Sequence, residues 1–449
     1  MSTIHFLILF FLSFLISSPG VAVTDKVTDL PGQPPVNFSQ HAGYITVDVA
    51  HDRRLFYYFV EASVEPASKP VVLWLHGGPG CSAVGGAAFS QHGPFLISGE
   101  GLIKNPYSWN TEANMLYLDS PAGVGFSYSR NTSDYLFLND DFAARDHLVF
   151  LQHWFNKFPN FRTNNFFIAG ESYAGHFAPQ LALLILQTKS EFNLKGISIG
   201  NPLLDFDTDF TASTDYLWQR GVISDSTYEL LSNNCSYVDI KKQLRATNVL
   251  NATCFDILLQ MELEVNANLD VFDISNDVCP TQKLAIEQLG VKRNICIVQQ
   301  SIEFFNRKDV QQALHGELVG VKDWTTCSAN LVYNYTNLEN PALYMLGTLV
   351  KAGVRVLAYC GDEDSVIPCT GTRPLIKGLA KDLGLTITRH HEAWFKGDKI
   401  AGWTQVYGDI LTFATVRGAG HSTPIAQPER SLEMMKAFWK GKPLPKKSH

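Results

Sequence analysis

Residues 164–187 read NNFFIAGESYAGHFAPQLALLILQ, a short apolar run, a serine between glycines and a second apolar run. Phe166–Ala169 is continuous and apolar, the form of a strand buried on both faces. Residues 176–187 carry their apolar side chains at helical spacing. Between them, Gly170-Glu171-Ser172-Tyr173-Ala174-Gly175 fits the nucleophile elbow G-x-S-x-G with one extra residue. Such a turn from strand into helix is sharp and crowds the serine backbone, which is why glycines flank it. It lifts the serine hydroxyl above the sheet, beside a helix N-terminus that favours developing negative charge. An elbow also makes a demand on the rest of the chain. A base and an orienting acid should follow it, in the order Ser, Asp, His.

Outward from the elbow the same strand-then-glycine form recurs. KPVVLWLHGG (69–78), NMLYLDSPAGVGFSY (114–128), LKGISIGNP (194–202) and VRVLAYCGDEDSVIP (354–368) are each an apolar run that ends in a Gly- or Pro-bearing loop. Residues 42–60 alternate apolar and polar around a charged turn, which predicts a β-hairpin. Asp140–Phe158 carries Ala144, Leu148, Leu151, Phe155 and Phe158 at helical spacing, with Asn139 and two aspartates at its start. Strands alternating with helices predict an α/β fold with a mostly parallel, doubly wound sheet. That rhythm breaks between about Asp205 and Asn337. Residues 23–204 and 338–449 are therefore read as two parts of one core, and 205–337 as a helical, disulfide-stapled cap. The cap should lie over the C-terminal edge of the sheet, where such sheets bind ligands.

The chain has 449 residues, 45% of them hydrophobic and 18% charged, so it has material for a large core. A formal net charge of −7 excludes the basic surface that nucleic acid selects. Residues 1–22 hold an apolar run, Phe6–Ile16, followed by small residues at Gly20 and Ala22, which predicts a secretory signal peptide. No later apolar run is long enough to span a bilayer. Eight cysteines outside C-x-x-C metal spacing, and N-x-S/T sequons at Asn37, Asn131, Asn234, Asn251 and Asn334, predict a glycosylated protein of the secretory pathway, extracellular or vacuolar. No metal or nucleotide motif is present, so no cofactor is expected. The expected partners are substrates, with the chain itself a monomer or homodimer.

The acid and base that the elbow demands are both present. Asp362 and Asp364 follow an apolar strand in GDEDSVIP (361–368), and His421 follows another in VRGAGHS (416–422). Ser172 would attack, His421 would take its proton, and the aspartate would fix the imidazole tautomer and steady the cation.

WLHGGPGCSA (74–83), NPYSWN (105–110), DSPAGVGFSYS (119–129), GESYAGH, GDEDSVIP and VRGAGHS occur together in an order that resembles the serine carboxypeptidases, especially the plant serine carboxypeptidase-like proteins. The resemblance runs from about residue 40 to about 445. It implies an α/β-hydrolase fold with an inserted cap, and an exopeptidase that removes C-terminal residues from peptides at acid pH. It makes Ser172, Asp364 and His421 the triad, Asp364 over Asp362 because the family's acid lies four residues before the proline. It implies an oxyanion hole from the N–H groups of Gly78 and Tyr173, and a terminal-carboxylate subsite of His76, Gly77 and Glu171. Where Glu171 meets a substrate carboxylate, one of the two must hold a proton. It also implies the disulfides Cys81–Cys327, Cys235–Cys254 and Cys279–Cys296. Cys360 and Cys369 are left over, expected as buried free thiols, with a local bridge as the other reading.

The chain departs from the family at the margin of that subsite. His76 stands where relatives usually carry Asn, Gln91 where many carry an acid, and Ser422 where many plant relatives carry Glu. His76 is expected to take the Asn role, touching Glu171 and the substrate carboxylate, where a neutral imidazole would donate one hydrogen bond and a protonated one would add a cation. These departures keep a second activity in view, acyl transfer from an activated ester to a hydroxyl acceptor.

Overall fold

The computed structural model describes residues 25–99, 101–247, 249–279, 296–334, 337, 339–340 and 342–447. The expected signal peptide lies outside the described residues. The strands are β1 (Lys26–Val27), β2 (Gln40–Asp48), β3 (Arg53–Val60), β4 (Val71–Leu75), β5 (Phe95–Ser98), β6 (Gly101–Lys104), β7 (Asn114–Leu118), β8 (Phe166–Glu171), β9 (Leu194–Gly200), β10 (Arg355–Gly361), β11 (Ile387–Lys396), β12 (Lys399–Tyr407) and β13 (Leu411–Val416). Among the described residues, eleven of them form one sheet in the order β1-β2-β3-β7-β4-β8-β9-β10-β13-β12-β11, and β5 pairs only with β6. The six strands from β7 to β13 run parallel. Antiparallel pairs close both edges.

The central strands are apolar on both faces because both faces are covered. Along β4, Val71, Leu73 and Leu75 join one core cluster, while Val72 and Trp74 join a second. Helices α1 (Asp140–Lys157) and α2 (Ala174–Gln187) cover the first face. They bring Leu151, Trp154, Phe177 and Leu181, all buried. The Asn139 side chain caps α1 by accepting from the Phe142 amide, as its position in the sequence predicts.

The segment expected as a cap contains α3 (Phe206–Gln219), α4 (Asp225–Asn234), α5 (Tyr237–Thr247), α6 (Ala252–Val265), α7 (Ile297–Phe305) and α8 (Lys308–Ala313). It is of two kinds. Leu231, Cys235, Ile240, Cys254 and Ile257 make a small apolar cluster of their own. Phe304, Phe305, Val310, Leu314 and Trp324 instead belong to the second core cluster, against the sheet. Three helices follow, α9 (Ala342–Lys351), α10 (Cys369–Asp382) and α11 (Thr423–Ala426), and then α12 (Pro428–Trp439), which puts Met434, Met435 and Phe438 into that second face.

The three disulfides implied by resemblance are present. The expectation of free thiols at Cys360 and Cys369 is corrected: they form a fourth disulfide. The chain leaves β10, turns through residues 361–368 and starts α10 back beside the strand end. This brings the two Cα atoms to 5.6 Å, within reach of a bridge.

Candidate active site

Ser172 sits between β8 and α2 with φ 61°, a left-handed conformation that costs a serine energy and aims its side chain off the sheet edge. The strain is held in place by neighbours. The Ser172 amide donates to Gly200 O at 2.9 Å, and its carbonyl accepts from Leu203 N at 3.1 Å. Close approach explains the flanking glycines. A Cβ on Gly170 would lie 2.4 Å from Leu75 O, and one on Gly175 would lie 2.4 Å from Leu203 O. Gly77 is equally fixed, since a Cβ there would lie 2.5 Å from the Ser172 Cβ.

The loop after β4 therefore lies directly against the elbow. It is pinned from outside by the Cys81–Cys327 bridge, by Ser82 N donating to Thr326 O at 2.8 Å, and by Ser328 N donating to Gly80 O at 2.9 Å. Buried Asp119 pins it from inside, accepting from Ser82 Oγ at 2.6 Å and Val84 N at 3.1 Å. Among the described residues, the main-chain N–H groups of Gly78 and Tyr173 have no acceptor within the protein. Two unspent donors beside the serine are what an oxyanion hole requires.

The structure brings Asp364 and His421 together. His421 Nδ1 lies 2.7 Å from Asp364 Oδ2, with both side chains buried. Asp364 Oδ2 also accepts from Asn201 Nδ2 at 2.7 Å and Ile367 N at 3.2 Å, and Oδ1 accepts from Val366 N at 2.9 Å. Asp362 serves elsewhere. Its Oδ1 accepts from Gly418 N, so it braces the histidine loop. Burial pulls the His421 imidazole below its ordinary value, but the Asp364 pair, with Glu171 and Asp270, outweighs burial and leaves it raised. The histidine loop meets the elbow through the neighbours of both residues, Ser422 Oγ donating to Glu171 Oε1 at 3.0 Å.

Glu171 Oε1 also accepts from Gln91 Nε2 at 2.9 Å and lies 3.4 Å from His76 Nδ1. The expected contact between His76 and Glu171 is thus present. Trp74 Nε1, which can only donate, also lies 3.4 Å from the same Nδ1, so that nitrogen stands between a donor and a carboxylate. Burial holds His76 below the ordinary histidine value, with Glu171 opposing and His421 adding to the shift. The cation is the disfavoured form.

The family model described as serine carboxypeptidase matches residues 31–441. The chain belongs to the serine carboxypeptidase family. Serine carboxypeptidase-like 45 of Arabidopsis thaliana is 49% identical over 453 residues, covering 99% of this chain and 98% of the relative. Serine carboxypeptidase-like 46 of the same plant is 48% identical, covering 96% and 95%. A solved structure of Kex1(Δ)p, a prohormone-processing carboxypeptidase from Saccharomyces cerevisiae, superposes with a TM-score of 0.76. It covers 92% of this chain and 95% of the yeast chain at 21% identity, and supports the α/β-hydrolase fold. As a member of this family the chain is a serine-type carboxypeptidase by class.

Asn201 escaped the sequence reading. It is fully buried just after β9, with φ 38°, and its Oδ1 accepts from Gly361 N at 3.1 Å while its Nδ2 holds Asp364. The signal was the strand-ending Gly200-Asn201-Pro202, an amide placed at the same sheet edge as the serine. Among the described residues, no group of three or more His, Cys, Asp or Glu side chains is placed to hold a metal ion, and no helix is long and apolar enough to cross a membrane.

Proposed function

We propose that this serine carboxypeptidase removes C-terminal residues from peptides through an acyl-enzyme on Ser172. The observation that carries the reading is the buried Asp364–His421 pair, reaching an elbow whose Gly78 and Tyr173 amides are unspent. His421 takes the Ser172 proton as Oγ attacks the scissile carbonyl, and the oxyanion is held by those two amides. Collapse breaks the C–N bond, and His421 gives the proton to the departing amine. Water, deprotonated by the same imidazole, then cleaves the ester and restores Ser172. Asp364 keeps the His421 proton on Nδ1 and steadies the cation in both halves.

His76, Gly77 and Glu171 form the subsite for the terminal carboxylate, His76 donating through a ring N–H. The carboxylate and Glu171 meet only with a proton between them, so capture weakens as pH rises. The raised His421 must be neutral to act, so turnover weakens as pH falls. The two demands oppose one another, so kcat/KM should pass through a maximum between them.

Secretion, with glycans on the sequon asparagines, fits the four disulfides. Asn37, Asn234, Asn251 and Asn334 are exposed and Asn131 is half-buried. Residues 205–337 act as the cap. A second reading, acyl transfer to a hydroxyl, rests on Gln91, whose Nε2 donates to Glu171 where an acid would share a proton. An N-blocked dipeptide assayed beside an activated sugar ester, each with and without a hydroxyl acceptor, separates the two. Amino-acid release from the dipeptide supports peptidase action, and ester-to-acceptor transfer without it supports the second reading.

A further inference from the structure

We propose that the Cys360–Cys369 bridge is a positioning element of the active site, closing the loop that carries Asp364 and holding that carboxylate on His421 Nδ1. The proposal rests on the reading above that Asp364 is the triad acid. Both ends of the bridge are on rigid elements. Cys360 is fully buried in β10, paired with Thr415 of β13, and Cys369 is the first residue of α10. The intervening residues 361–368 leave the sheet, and Asp364 sits near their middle.

The other anchors of this loop divide into two groups. Ser365 N and Oγ both donate to Val271 O, Ser213 Oγ donates to Ser365 O, Tyr216 Oη donates to Asp362 O, and Ile274 N donates to Glu363 O. All of these partners lie between residues 205 and 279, outside the sheet. From the core, Asn201 holds Asp364 and Ile367, and Glu363 N donates to Ala419 O. The bridge is the covalent member of this core group, and Cys369 Sγ also rests 3.4 Å from Gly361 O. Without it, the loop's span from strand end to helix start is set only by hydrogen bonds and the Arg220–Glu363 ion pair, six of these contacts to the inserted segment. The carboxylate must stay within hydrogen-bond reach of His421, whose main-chain N donates to Phe272 O at 2.6 Å.

A positioning role predicts more than lost stability. His421 is faced by Asp364, Glu171 and Asp270, which raise it against burial, and it stands near His76. Loosening Asp364 alone leaves burial less opposed, so the pH at which the base becomes neutral falls. In the full-length protein, Cys360→Ala/Cys369→Ala should lower kcat about ten- to a hundredfold, the range for a small displacement of a catalytic group. KM for an N-blocked dipeptide should stay within about twofold, since the terminal subsite is untouched. The acid limb of kcat/KM should move to lower pH. Cys235→Ala/Cys254→Ala, in the separate apolar cluster, should lower Tm and leave kcat unchanged.

A second measurement uses the wild-type chain. Brief treatment with a dithiol supplies two electrons and two protons, turning the bridge into two thiols as the reagent becomes a disulfide. Alkylation and peptide mapping then give the fraction of Cys360 and Cys369 opened, which should track the loss of kcat. A double variant with wild-type kcat, one whose kcat falls with no shift of the acid limb, or alkylated wild type of full activity would each overturn the proposal. Should the double variant not fold, the wild-type measurement decides. Wild-type kcat in Asp364→Asn would instead overturn the underlying triad reading.

Discussion

Asp364→Asn separates two functions of the acid that are usually lost together. The carboxylate receives His421 Nδ1, Asn201 Nδ2 and Ile367 N on Oδ2, and only Val366 N on Oδ1. An asparagine with its oxygen at the Oδ2 position satisfies three donors and opposes one. The reverse orientation opposes three. The favoured orientation still accepts from His421 Nδ1–H, so the tautomer needed for base catalysis is retained. What disappears is the negative charge that steadies the imidazolium. Two unit charges about 4 Å apart at an effective dielectric near 20 interact by about 4 kcal/mol. At about 1.4 kcal/mol per decade that is a loss of roughly a thousandfold in kcat, short of the ~10⁴ that follows when the tautomer is also wrong. Asp362→Asn is the internal control. It can keep an oxygen on Gly418 N and should change kcat by less than about threefold, within the small effects of substitutions that keep their contacts. Both variants would be assayed for kcat and KM on an N-blocked dipeptide at several pH values, with Tm measured alongside. A loss of under tenfold in Asp364→Asn, or equal losses in the two variants, would overturn this assignment of the charge.

Three further outcomes follow from the same geometry. Burial pushes Asp119 up to about 6 against its hydrogen bonds from Ser82, Val84 and Phe126. The folded chain then holds a proton there between about pH 4 and 6 that the unfolded chain lacks. This stability is full below the unfolded value and is lost as pH rises through about 6, about 3 kcal/mol in all. Denaturant titrations at pH 4.5 and 7.5 should show it, and Asp119→Asn should flatten the difference; an unchanged slope in that variant would contradict the assignment. Cys327→Ala opens a bridge of sequence separation 246, for which chain entropy gives an upper figure of about 5 kcal/mol. Its Tm should fall well below that of Cys235→Ala, which opens a separation of only 19. His76→Asn should chiefly change KM and leave the pH profile at and above neutrality as it was, because burial holds the imidazole below the ordinary histidine value. A profile that changes near neutrality would show that the cation matters after all.

The parallel core was legible because a strand buried on both faces must be largely apolar, as β4 is throughout and β7 and β8 are apart from Asn114 and Glu171 at their ends. The antiparallel edge formed by β11 and β12 was not read, because its outer strand is largely exposed and its residues, such as His390 and Glu392, carry no buried-strand pattern. Ser172, Asp364 and His421 could be located because each follows an apolar run at a glycine-rich turn. Asn201 shares that setting but is an amide in contact with a carboxylate, a role that only the fold reveals. The fourth disulfide was missed for a related reason. Whether two cysteines nine residues apart bridge or stay free depends on how a loop returns to its strand, which residue spacing alone does not fix. Phe304, Phe305 and Trp324 were grouped with the cap because the strand-and-glycine rhythm does not resume before Asn337, yet their apolar surface is buried in the second core cluster against the sheet.

The proposed chemistry stands or falls on Ser172 carrying the acyl group while a C-terminal residue is released. Free amino acid would be followed from an N-blocked dipeptide, with purified wild type and Ser172→Ala at mildly acid pH. Wild type should release one free amino acid per peptide cleaved. Turnover in the variant should be lower by about 10⁴ or more, with the peptide still bound. Amino-acid release that survives in Ser172→Ala, or none from the wild type while it moves an acyl group from an ester to a hydroxyl, would contradict it.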